Sequence, residues 1–255
     1  MLDSLATADV VFLGEQHDDS STHRLELAVL EGLDERGRRP IVALEMFERD
    51  VQPLLDRYMA GEMSEADFLA SSRPWPNYDT DYRPMVELAR ARGWRVIASN
   101  VPRPIASAVS RAGLGMLDML QAAERAFVAA DISCPDDQYR RKFVAAMGGM
   151  GGHGGSDEAA AQAMLERFYQ AQCIKDETMG ESVAAAVEPG QVLVHVNGAF
   201  HSDERLGTVT RALRRRPGTR AMVVSFVPAP LAAALDPIEL AGRGDYVVIT
   251  RRKAD

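Results

Sequence analysis

The chain has 255 residues, 46% of them hydrophobic, which is ample for one packed core and excludes disorder as its main state. A formal charge of −8 excludes a general electrostatic affinity for nucleic acid or anionic membrane, which needs clustered Lys and Arg. No apolar run approaches the roughly 20 residues of a spanning helix, and no basic-then-apolar leader precedes the first apolar run.

The chain therefore reads as soluble, cytoplasmic if complete, and periplasmic or membrane-anchored if a leader has been removed. Cys134 and Cys173 form no CxxC or CxxCH pattern, so neither a disulfide framework nor covalent haem attachment is signalled.

In chain order, short β-branched runs at 9–14, 40–47, 95–100, 191–198, 221–228 and 245–250 predict strands buried on both faces. Helical stripes over 20–36 and 80–92 separate the first three. Strand and helix alternation implies βαβ units, hence an α/β fold with a mainly parallel sheet flanked by helices. Between 101 and 188 helical patterns run without a strand. This predicts an all-helical subdomain inserted into an α/β domain formed by 1–100 and 189–255.

The last helical segment, 157–188, would span about 48 Å as a single helix, so a break is expected, at Gly180. The glycine-rich "MGGMGGHGG" (147–155) reads as a linker; the other reading is a loop that closes over a ligand and offers Met147, Met150 and His153. The basic run "RALRRRPGTR" is expected to be a solvated helix end whose cations complement the dipole.

In an open parallel sheet all carboxyl ends share one edge, where ligands bind. The first strand ends in Gly14-Glu15-Gln16-His17, the second in Glu45, the third in Asn100 and the fourth in Asn197-Gly198-Ala199-Phe200-His201. Two of these ends are Gly-x-x-His. Glycine there allows a tight or positive-φ exit that lets the imidazole point back over the edge.

Glu45 interrupts an apolar strand, and burying an unpaired carboxylate costs several kcal/mol. It therefore calls for a proton, an ion pair or a cation. His17, Glu45 and His201 form a set suited to Zn, Mn or Fe(II), with Glu15 as a fourth ligand or general base. Without metal, the same groups pair with each other and serve as acid and base. His195, inside a strand, reads as a satisfied core histidine, and His23, in the first turn of a helix, as exposed.

In a chain with 6% aromatic residues, Trp75, Tyr78 and Tyr82 cluster in "RPWPNYDTDYRP". They either cap the core or wall a flat apolar ligand site, with a tyrosinate as iron ligand.

The segments "VVFLGEQHDD", "VALEMFERDVQPLLDRYMAG", "RGWRVIASNVPR", "RFYQAQCIKDETMGESV" and "VNGAFHS" together resemble the ChaN-like haem-binding uptake family of the Tiki and erythromycin-esterase-like superfamily. The resemblance implies an α/β domain with a helical subdomain, haem as cofactor and a homodimer enclosing two cofacial haems. It makes Tyr78 or Tyr82 the candidate iron ligand and His153 a candidate partner across the dimer. Similarity to Tiki members through the paired Gly-x-x-His implies instead a metal-dependent hydrolase, an esterase or protease using His17, Glu45 and His201. The family's lipoprotein signal, with its lipidated Cys, has no counterpart in this sequence.

Overall fold

The computed structural model describes residues 1–148, 158–230 and 235–251. Six strands form one sheet: β1 (Val10–Glu15), β2 (Pro40–Glu48), β3 (Val96–Asn100), β4 (Val192–Gly198), β5 (Ala221–Ala229) and β6 (Tyr246–Arg251). Their order is β3-β2-β4-β1-β5-β6 and every pairing is parallel, so all six predicted strands form and the α/β expectation holds.

The helices are α1 (Leu2–Leu5), α2 (Ser20–Asp34), α3 (Gln52–Met59), α4 (Glu65–Ser72), α5 (Arg83–Arg92), α6 (Arg103–Ala112), α7 (Ala122–Arg125), α8 (Gln138–Gly148), α9 (Glu158–Ala186), α10 (Thr208–Arg215) and α11 (Pro237–Leu240). A single π-helical turn, Tyr78–Tyr82, leads into α5.

Side-chain alternation divides the sheet into two apolar faces. Val11, Leu13, Val42, Leu44, Val194 and Val196 pack with Leu30 and Leu33 of α2, Leu55 of α3 and Met85 of α5. Val10, Phe12, Ile41, Ala43 and Leu193 pack on the other face with Val183 and Ala186 of α9 and Val209 and Ala212 of α10. The described residues between 101 and 188 contain no strand, and the end of α9 lies directly on the sheet.

At the β3 edge the Gln52 side chain substitutes for a neighbouring strand. It donates to Val96 O at 3.0 Å and accepts from Ala98 N at 2.6 Å, blocking an otherwise open ladder.

Three expectations are corrected. First, α9 is one helix of 29 residues, with no break at Gly180. A Cβ at Gly180 would lie 2.7 Å from Arg211 Cβ and 3.0 Å from Ala212 N, so the glycine serves the close approach of α10. Gly180→Ala meets backbone atoms that cannot rotate away. It should destabilise by about 1–3 kcal/mol, partly offset by about 1 kcal/mol of helix propensity; urea unfolding measures the balance, and an unchanged midpoint would contradict the packing.

Second, the basic run is not simply solvated. Arg211 is buried, and Arg211, Arg214 and Arg215 reach Glu177 of α9 at 3.4, 2.8 and 2.6 Å. A buried carboxylate on the neighbouring helix, invisible in local sequence, claims these cations. Third, Cys134 and Cys173 are joined in a disulfide that ties the segment before α8 to α9.

Candidate functional site

In the adjacent strands β2, β4 and β1, residues Glu45, Asn197 and Gly14 lie at one level of the sheet. Gly14 pairs with Asn197 and Glu15 with Gly198, so the two Gly-x-x-His motifs sit side by side, offset by one residue. Glu45 follows Leu44, which pairs with Val196. Their adjacency in the sheet assembles the site.

Neither motif glycine adopts the positive φ expected of it. Both serve close approach instead. A Cβ at Gly14 would lie 2.7 Å from Ser202 Oγ and 3.1 Å from Ala199 Cα, whereas one at Gly198 would lie 2.9 Å from His17 Nε2 and 3.6 Å from Glu45 Oε2. The motifs therefore interlock: the turn after β4 crosses over Gly14, and the imidazole after β1 lies over Gly198.

Each imidazole is held by a carboxylate at Nδ1. His17 Nδ1 is 2.5 Å from Glu15 Oε1, and His201 Nδ1 is 2.8 Å from Asp176 Oδ1. Tyr139 and Thr208 donate to Asp176 at 2.6 and 2.9 Å, fixing it on α9. On the other side His201 Nε2 lies 3.3 Å from Glu45 Oε1, while Glu45 Oε2 accepts the Gly198 N–H at 2.7 Å. Asn100 donates to the Glu45 carbonyl at 3.2 Å and so braces the strand backbone.

Electrostatics follow from this wiring. Burial disfavours the charged form of His201, but Glu45 and Asp176 outweigh it and push its pKa up to about 10. Burial likewise opposes ionisation of Glu45, yet His201 and His17 hold it well below the usual carboxylate range. Glu15 is buried too, but hydrogen bonds from His17 and His23 hold it down to about 2. The His17 pKa is raised, with Glu15 and Glu45 outweighing its partial burial.

Behind Glu15 lies a second cluster that the sequence did not signal. His23, expected on the surface, is buried, with Nδ1 at 3.0 Å from Glu26 and 3.3 Å from Glu15. Burial disfavours its charge, but those two carboxylates push its pKa up to about 11. Burial and then the charge of Glu15 drive Glu26 well above the ordinary range. His195 is fully buried between Asn197 and Ser99, and burial takes its pKa down to about 4.

Of the proposed ligands, Tyr78 and Tyr82 lie in the core, 2% and 1% exposed, and the Tyr82 hydroxyl donates to Glu15. Burial, aided in Tyr82 by the charge of Glu15, pushes both phenols far above their ordinary value. Trp75 is half-buried, with its ring 4.6 Å from that of His17 in an edge-on contact. His153 lies outside the described residues.

His17, Glu45 and His201 reach one edge without closing into a metal-sized set. Among the described residues, the His and acidic ligand atoms within 4.8 Å of one another belong to Glu15, His23 and Glu26.

Asp176 is the clearest residue that sequence reading missed. It shares a helix face with Cys173 and Gly180, at the i, i+3 and i+7 positions of an otherwise apolar, close-packed stripe. An acid on such a face was the available signal.

Among solved structures the fold is similar to the ChaN of Campylobacter jejuni described as binding haem cofacially. That likeness has a TM-score of 0.67 and 15% identity, over 97% of this chain and 89% of that one. The type III effector HopBA1 has a TM-score of 0.50 and 12% identity over 99% and 92% of the two chains. Protein RETICULATA-RELATED 5, chloroplastic, of Arabidopsis thaliana is 24% identical over 89% of this chain, which spans 32% of that protein's length. A family model described as haem-binding uptake, Tiki superfamily, ChaN, matches residues 1–212, and the chain belongs to that family.

Proposed function

We propose that this protein binds haem over the carboxyl edge of its sheet, in a site completed by a second copy of the chain, with His17 as the iron-ligating residue. One observation carries the choice of residue. Of the described candidates, His17 has a side chain 45% exposed, whereas Glu15, Glu45, His201, Tyr78 and Tyr82 are each 7% exposed or less.

Its Nδ1 is committed to Glu15, which orients the ring and strengthens Nε2 as a donor, as outer carboxylates do for ligating histidines. Gly198 keeps the space at Nε2 clear.

Support for the second copy is volumetric. The recesses bordering the edge measure about 70 and 250 Å³, below the roughly 300–1,000 Å³ of pockets that enclose a drug-sized ligand. A planar macrocycle would lie on the surface and be covered by a partner. When bound, haem supplies iron redox and ligand chemistry; the chain's own residues orient and hold it.

Hemin titration followed by absorbance, with sedimentation velocity before and after loading, tests the proposal. A histidine-type spectrum and a shift from monomer to dimer are expected, and an unchanged hemin spectrum would overturn it. Gly198→Ala retains an allowed backbone at φ −55° but places a methyl against Nε2. It should weaken hemin binding about tenfold or more with little change in unfolding midpoint, and wild-type affinity in this variant would contradict the assignment of Nε2.

A second reading is favoured by the hydrogen-bonded chain Asp176–His201–Glu45. In it the same edge hydrolyses an ester or peptide bond, His17 taking a proton from water while protonated His201 donates to the leaving group. Glu15, 2.5 Å from Nδ1, would orient His17. Glu45→Gln separates the readings: it should abolish hydrolysis of a model ester measured in chelator and leave hemin affinity within a few-fold.

A further inference from the structure

A narrow recess of about 70 Å³ opens beside the site between the ends of β2 and β3, the Trp75 loop and α9. Two acids line it, and both are already matched. Glu45 is held by His201 and the Gly198 N–H, and Glu48 pairs at 2.9 Å with Arg73, which also holds Asp50 at 2.7 Å.

The two cations of the recess are not matched. Arg103, exposed at the start of α6, and Lys175, half-buried on α9, have no carboxylate or hydrogen-bond partner among the described residues. Uncompensated cations on a lined recess beside an aromatic ring offer an incoming anionic group two unclaimed donors. Arg offers a planar fork and Lys a point charge, a pairing suited to a carboxylate or another small oxyanion. The recess has room for such a group and not for a ring system, while Trp75 offers the apolar surface next to it.

We infer that Arg103 and Lys175 form the subsite that takes a carboxylate arm of a planar ligand whose ring lies against Trp75; for the haem reading, on which this rests, that arm is a propionate. The two residues then determine specificity and orient the macrocycle over His17 without touching the iron.

The test uses metal-free protoporphyrin IX and its dimethyl ester, titrated by porphyrin fluorescence against the full chain. Without iron, binding reads the carboxylate contacts apart from ligation by His17. Wild type should bind the diacid at least tenfold more tightly than the diester, and the Arg103→Gln/Lys175→Gln variant should bind the two equally.

Neither side chain is in the core, so circular dichroism of the variant should match wild type; if it does not, the Arg103→Lys and Lys175→Arg variants, which keep the charge, should retain the discrimination. Equal affinity of wild type for both porphyrins, retained discrimination in the double glutamine variant, or no binding of either porphyrin would overturn the subsite. Discrimination between the porphyrins together with an unchanged hemin spectrum would instead sink iron ligation and leave the subsite standing.

Discussion

His201→Ala is expected to destabilise the protein by about 3–5 kcal/mol, the range for removing one partner of a buried charge pair. His201 is 6% exposed and lies between two buried acids, with Asp176 at 2.8 Å and Glu45 at 3.3 Å. Without the imidazolium, both carboxylates keep their desolvation cost and lose the opposite charge that offset it. Protonation of one acid, or entry of water, would relieve part of the loss, so the effect should shrink at low pH. Urea unfolding at pH 7 and pH 5 measures both, and a loss under 1 kcal/mol at pH 7 would show that the network is not coupled to stability.

The pH profile of the wild type has a sign fixed by the same groups. A histidine whose folded pKa is raised from 6.5 to about 10 contributes stability that is complete below 6.5 and lost as pH rises towards 10. Glu15, lowered from 4.5 to about 2, contributes stability that is present above 4.5 and lost as pH falls towards 2. Maximum stability should therefore lie between about pH 4.5 and 6.5, with decline on both sides; a midpoint still rising from pH 7 to 9 would contradict the His201 assignment.

His17→Ala is the second large effect: a loss of hemin affinity of about 100-fold, or nearly 3 kcal/mol, with little loss of stability. The asymmetry with His201 comes from exposure, since the His17 side chain is 45% exposed and its removal strands only Glu15, which keeps His23 at 3.3 Å and the Tyr82 hydroxyl. Tyr82→Phe makes the matching control. It removes a buried donor and should cost stability, yet leave the hemin spectrum of histidine type. Loss of the spectrum in Tyr82→Phe with retention in His17→Ala would return the iron to the tyrosine. A hemin affinity that falls on acidification from pH 8 to 6 is also expected, because the raised His17 pKa makes the proton a competitor for the ligating nitrogen.

The six strands were legible because each is a short β-branched run that stands alone against helical stripes. The convergence of Glu15, His17, Glu45 and His201 was legible because parallel strands put all carboxyl ends on one edge. The role of the motif glycines was not: the sequence reads them as turn formers, but the atoms they make room for, Ser202 Oγ and His17 Nε2, belong to the turn that follows the other strand.

Pairing was equally invisible. Asp176 reaches His201 because α9 lies against the turn after β4, Glu177 gathers three arginines because α9 and α10 pack together, and His23 is buried with Glu15 and Glu26 around it. Local pattern thus determined which residues arrive at the edge, since periodicity and strand direction are properties of short segments. Burial, hydrogen-bond partners and charge state depend on distant segments brought into contact, and for that reason only the tertiary structure decided that His17 faces solvent while Tyr78 and Tyr82 belong to the core.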